Sequence, residues 1–184
     1  MIFFASKGRR EREASERLYA ACVGAARQPA FYRDLGVPDT FQGRFEMVTL
    51  HLFALFHRLM HDPGDDPKFA QLVSERFVGD MDGALRELGI GDLSVPKRMK
   101  ALYASFAGRI AAYERALAES DRALAAAVAR NVFSEATDGS GAVALATYLG
   151  KAVTAMRVVD LARLRAGEAP FPDVAPAADK GAGG

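Results

Sequence analysis

Apolar residues recur at spacings of three and four along most of the chain, the period of one face of an α-helix, and strand-like alternation is absent. The first such segment spans Arg9 to Arg27, with mixed charges early and Leu18, Tyr19, Cys22, Val23 and Ala26 later. Pro29 opens a short helical turn that Gly36 closes, and Phe31, Tyr32 and Leu35 can fold back from it as a hydrophobic plug. Helices follow over 40–61, from Asp66 to Leu88, and over about 95–118, 121–133 and 141–165. Asp39 is placed to cap the helix over 40–61; Asp66, followed by Pro67, is placed to cap the next. The pattern predicts an all-α fold, a single-domain bundle of about six or seven helices. It assigns residues 1–8 to a flexible N-terminus, 9–166 to the helical domain and the Pro-, Ala- and Gly-rich 167–184 to a disordered tail.

The helix over 40–61 is apolar almost all round, as the buried centre of a bundle is, and Phe41, Phe45, Leu52, Phe56 and Leu59 are expected to form that centre. Its polar residues Arg44, His51 and Arg58 recur at every seventh position, a stripe that drifts only about 20° per heptad. The stripe reads either as a narrow solvated edge or as a cationic rail facing acids on the next helix or on a partner. On the helix from Asp66, the residues Arg76, Asp80, Gly83 and Glu87 line one edge of the core face. Asp80 lies inside the apolar arc and is expected to be partly buried and ion-paired, with Arg76 one turn away as the local partner and a base on the following helix as the tertiary one. Gly83 weakens that helix by roughly 1 kcal/mol relative to alanine, which suggests close approach by another backbone or by a partner.

Charge changes sign where two helices meet, in the stretch DMDGALRELGIGDLSVPKRMK over 80–100. From Asp62 to Asp92 there are eight acids against three bases. From Leu93 to Tyr113 there is no acid, while Lys97, Arg98, Lys100 and Arg109 are all basic. Gly89 and Gly91 around Ile90 suit a helix C-cap followed by a tight reversal, and Asp92 or Ser94 can cap the next helix ahead of Pro96. Over the whole chain the balance is even, with 24 Lys and Arg against 23 Asp and Glu, which argues against a dedicated DNA or RNA binder. A single cysteine, Cys22, excludes an intramolecular disulfide framework and a Cys-based zinc site, and reads as a buried inert thiol. No apolar run approaches the roughly 20 residues that span a bilayer. The start, MIFFASKGRR, has its apolar residues before its charges, the reverse of a signal peptide. A cytoplasmic protein is expected, with room for peripheral contact at the inner face of a membrane.

Catalytic chemistry is not visible. There is no Ser–His–Asp ordering, no Gly-rich phosphate loop and no glutamate-rich di-metal pattern, and the two glycines of GIGDLS follow a helix rather than a strand. His57 and His61 sit one helical turn apart, as metal-ligating histidines do, but the sequence fixes no third strong ligand, and two histidines at a helix C-terminus are also what the macrodipole favours. No metal and no organic cofactor is therefore expected.

Three stretches together resemble the ubiquinol–cytochrome c chaperone family of assembly factors for the cytochrome b-containing reductase. They are LYAACVGAARQPAFYRDLGVPDTFQGRFEMVTLHLF (18–53), DMDGALRELGIGDLSVPKRMKALYASFAGR (80–109) and ARNVF (129–133), within roughly residues 15–135. The resemblance implies an all-helical, non-enzymatic chaperone whose partners are cytochrome b or its assembly intermediates, with the ribosome or a second assembly factor as further partners. Without a long leader or membrane anchor, the start reads as bacterial. A binding surface rather than a catalytic pocket is then expected, with Arg44, His51, Asp80, Asp82, Arg86, Glu87, Lys97, Arg98, Lys100 and Arg109 as its residues. Two alternatives stay open. One is a small helical metal-binding protein or enzyme using His51, His57 and His61. The other is a peripheral binder of anionic membranes, in which residues 1–10 supply Phe3, Phe4, Lys7, Arg9 and Arg10.

Overall fold

The computed structural model describes residues 2–61, 66–133 and 139–174, with side chains from Gly8 onward. Among the described residues eight helices follow one another: α1 (Ile2–Ala26), α2 (Pro29–Arg33), α3 (Phe41–His61), α4 (Pro67–Glu87), α5 (Val95–Glu119), α6 (Asp121–Val132), α7 (Ser140–Arg157) and α8 (Leu161–Arg165). The fold is an all-α bundle, and no strand occurs among the described residues.

Its centre is α3, which packs against α1, α4, α5, α6 and α7. The cause is its apolar circumference: Met47, Leu50, Leu52, Phe53, Ala54, Leu55 and Leu59 are fully buried. Each such Leu or Phe contributes about 1.5–3 kcal/mol of transfer free energy. Four of the five expected centre residues, Phe45, Leu52, Phe56 and Leu59, are buried. Phe41, in the first turn, is only half-buried and lines a surface groove instead.

Local chemistry sets the ends. Asp66 caps α4 by accepting from the Phe69 amide at 3.2 Å. Ser120 caps α6 in the same way through the Ala123 amide at 3.1 Å. The α3 cap falls one residue later than expected: Thr40 Oγ1 accepts from the Gly43 amide, while Asp39 pairs with Arg44 at 2.7 Å. A Cβ on Gly43 would stand 1.8 Å from the Pro38 carbonyl oxygen, so only glycine lets the incoming chain cross this close to α3. Gly89, at φ +78°, makes the reversal between α4 and α5. The plug is as expected, with Phe31 and Leu35 buried and the Tyr32 hydroxyl donating to the Ala26 carbonyl.

Three boundaries differ from the sequence reading. Helix α1 starts at Ile2, so the backbone is helical through most of the stretch read as a flexible N-terminus. The last expected helix is two: Val159 turns inward, and Asp160 starts α8 by accepting from the Ala162 amide. Within the stretch read as a tail, Phe171 lies against the His51 ring with centroids 4.7 Å apart. Ala169 and Val174 pack against the core beside it. Residues 175–184 lie outside the described residues, as do Asp62 and Asp65 of the acidic stretch.

Candidate functional site

The ten residues expected to form one binding surface divide into three groups. Two are interior. His51 is fully buried: its Nδ1–H donates to the Met47 carbonyl at 2.7 Å, and its Nε2 accepts from the Tyr148 hydroxyl at 2.8 Å. Both ring nitrogens are used, and burial pushes the imidazole down to about 4, so it stays neutral and offers no lone pair to a ligand. Arg109 of α5 grips Glu46 of α3 at 2.7 Å, and the Glu46 side chain is only 1% exposed. The hydrogen bonds to this carboxylate hold the guanidinium even more firmly protonated than usual. Arg58 is buried too and donates to the Val159 carbonyl near the C-terminal end of α7. The stripe Arg44, His51, Arg58 is therefore no cationic rail: two of its three members face the core, because α3 is surrounded on nearly every side.

A second group lines a groove of about 580 Å³ beside α1, α3 and α4. Arg44, Arg76, Asp80, Gly83, Glu87 and Leu88 stand on its wall, with Tyr32 and Phe41. Asp80 is exposed rather than half-buried, and its partner is the Tyr19 hydroxyl at 2.7 Å instead of Arg76. Burial of the Tyr19 ring, then the Asp80 carboxylate, raise the phenol's pKa and keep it a donor. Gly83 has nothing within 4 Å of its missing Cβ, so no backbone of the chain itself makes the suspected close approach.

The third group is the α4–α5 corner. Arg86 bridges Asp82, at 2.7 Å, and Asp92 across the turn. Beyond it Lys97, Arg98 and Lys100 are exposed, and none has an ionic partner among the described residues. The acids across the turn make no ion pair with them: Asp82 and Asp92 meet Arg86, Asp80 accepts from Tyr19, and Glu87 stands on the groove wall. Three large apolar side chains surround this basic turn in sequence and are exposed: Leu93 completely, Leu88 at 59% and Tyr103 at 53%. The sequence reading counted the charges here and missed the apolar residues, although Leu93 in a turn between two capped helices was the available signal.

Glu46 and Glu114 were also missed. Glu46 is the only acid within α3, a legible hint of a buried pair. Glu114 of α5 meets His57 and His61, and nothing in the sequence connects residues so far apart. Cys22 is buried, which raises its pKa and keeps the thiol protonated and inert. No helix among the described residues is long and apolar enough to cross a membrane. Of the lipid-contact residues, the Phe3, Phe4 and Lys7 side chains lie outside the described residues; Arg9 is exposed and pairs with Glu13 at 3.3 Å.

The chain is thus an all-α bundle with an amphipathic groove and an adjoining basic, partly apolar corner. The chain belongs to the ubiquinol-cytochrome C chaperone family, whose sequence profile matches residues 33–171. That match begins later and ends later than the stretch read from the sequence. In fold the chain is similar to the crystal structure of the Cbp3 homolog from Brucella abortus, with a TM-score of 0.84 and 40% identity over 95% of this chain and 98% of that one. It is also similar to ubiquinol-cytochrome c reductase complex assembly factor 1 of Drosophila melanogaster, 28% identical over 65% of this chain and 48% of that protein. The Xenopus laevis factor is 23% identical over 68% of this chain and 62% of that protein. The chain thus spans about half the length of the curated relatives it matches.

Proposed function

We propose that this protein is a non-enzymatic chaperone for assembly of the ubiquinol–cytochrome c reductase, and that it holds cytochrome b or an early intermediate containing it. Family membership supports the assembly role, since the relatives are described as assembly factors of that complex. The observation that carries the binding surface is the α4–α5 corner, where Lys97, Arg98 and Lys100 have no ionic partner among the described residues and lie among exposed Leu88, Leu93 and Tyr103. Unpaired cations at a helix start are disfavoured by the macrodipole by a few tenths of a kcal/mol each, and exposed apolar groups gain when covered. A partner with an anionic rim and an apolar centre relieves both at once. The neighbouring groove, with Asp80 and Glu87 on its wall, extends the surface toward α1. Work at the cytoplasmic face of the inner membrane fits a client that inserts there, and the ribosome or a second assembly factor are further partners in this reading.

The test is a Lys97→Ala, Arg98→Ala, Lys100→Ala triple variant in cells lacking the native protein. The folded variant should accumulate normally, fail to co-purify cytochrome b and leave the reductase unassembled. Normal reductase levels would remove this corner from the proposal.

A further inference from the structure

We infer that His57, His61 and Glu114 form a binding site for a divalent transition-metal ion of the zinc type, independently of the chaperone reading. His57 and His61 lie one turn apart on the last turns of α3, with ring centroids 5.3 Å apart. Opposite them, Glu114 of α5 turns one carboxylate oxygen to each ring: Oε2 is 3.1 Å from His57 Nδ1 and Oε1 is 3.8 Å from His61 Nε2. One donor atom from each residue lies within 4.8 Å of the others. Neighbouring ligand atoms in a tetrahedral zinc site stand about 3.4 Å apart, given metal–ligand distances near 2.1 Å. Each ring nitrogen has a carboxylate oxygen near that distance, at 3.1 and 3.8 Å, and the set within 4.8 Å needs only a modest contraction to reach it.

The surroundings separate this cluster from an ordinary ion pair. Glu114 is paired with two imidazoles and with no lysine or arginine among the described residues, so no fixed cation competes for the carboxylate. The helix macrodipole accounts for the two histidines at the end of α3 but not for a carboxylate brought to both of them by another helix. His57 is anchored, 15% exposed and against the Phe53 ring, while His61 is 53% exposed and leaves a path from solvent. Two imidazoles and one carboxylate suit zinc and its first-row neighbours, not calcium or magnesium. Metal binding takes the tautomer in which the ring nitrogen facing the ion carries the lone pair and the opposite ring nitrogen carries the proton. Three protein ligands leave a fourth position for water or for a donor from a partner, and the ion joins α3 to α5.

The experiment uses the untagged full-length chain after chelator treatment, titrated with cobalt(II) as a spectroscopic stand-in for zinc. One equivalent should bind with the visible absorption of a four- or five-coordinate site, and zinc should bleach it. His61→Ala and Glu114→Gln should each weaken binding at least about tenfold, the lower end of what even an outer-sphere partner contributes. Zinc should raise the melting temperature of the parent and not of the variants. Absence of one-equivalent binding, or equal binding in parent and variants, overturns the site. Should Glu114→Gln fail to fold, His61→Ala at its exposed position decides alone.

Discussion

Glu46 and His51 are polar side chains inside an apolar helix, and each is retained there by a partner from another helix. Glu46 loses its hydration on burial and recovers the energy through Arg109 and through Gln42, whose amide donates at 2.5 Å. Removing one member of such a pair strands the other charge, so Arg109→Ala should destabilise the protein by about 3–5 kcal/mol in urea unfolding. A loss under about 1 kcal/mol would mean that water reaches Glu46. His51 predicts a pH dependence. Its value is about 4 in the folded protein against 6.5 ordinarily, so between those values the unfolded chain binds the extra proton. Stability is therefore complete above pH 6.5 and declines as pH falls toward 4, by up to about 3 kcal/mol from this residue. His51→Gln should lose less stability than the parent between pH 7 and pH 4.5, with unfolding midpoints as the measurement. The burial of His51 was not legible beforehand, although a lone acid in α3 hinted at the role of Glu46: a seven-residue repeat of Arg44, His51 and Arg58 specifies a shared stripe, and only the number of neighbours around α3 decides whether that stripe meets solvent.

At the scale of elements, two glycines in helices give opposite expectations. Gly43 is crossed by the Pro38 backbone, so Gly43→Ala forces the entry to α3 apart and should lower stability by about 1–3 kcal/mol. Gly83 faces open groove, so Gly83→Ala gains helix propensity and should raise stability by up to about 1 kcal/mol. Chemical denaturation of both variants checks the pair, and loss of stability in Gly83→Ala would show that the groove wall is tighter than its geometry. Most of the helices were legible because periodicity over four or more turns is a strong signal, and caps such as Asp66 act within three residues of where they sit. The break at Val159 was not, since a single valine turning inward leaves the helical period intact on both sides. Docking of Phe171 was not either, because it depends on a ring more than a hundred positions earlier in the chain.

Across the whole molecule, charge is nearly balanced in number and unevenly used. Arg109, Arg58 and Arg165 serve the fold; Arg165, for example, pairs with Asp66 and lies over the Phe69 ring at 5.4 Å. Lys97, Arg98 and Lys100 serve nothing within the described residues, so the triple alanine variant should unfold at the same or slightly higher urea concentration than the parent. Unfolding of that variant would convert its cellular defect into a stability effect and withdraw the argument from exposed charge. The corner was half legible from sequence: the run of bases without acids is a linear feature, whereas the engagement of Asp80 by Tyr19 and of Asp82 and Asp92 by Arg86 is a matter of three-dimensional competition. The class of protein was legible through the resemblance, and its extent along the chain was not.

The polar groups of α3 also set a timetable. Their partners lie far downstream: Arg109 is 63 residues after Glu46, Tyr148 is 97 after His51 and Val159 is 101 after Arg58. At about 5–20 residues per second of synthesis, α3 waits roughly 5–20 s for its last neighbour. During that interval its most apolar surface is interrupted by a carboxylate, an imidazole and a guanidinium, each of which lowers its tendency to join a neighbouring nascent chain. A protein proposed to shelter another during assembly thus has, during its own synthesis, a phase in which its central helix still lacks its downstream partners.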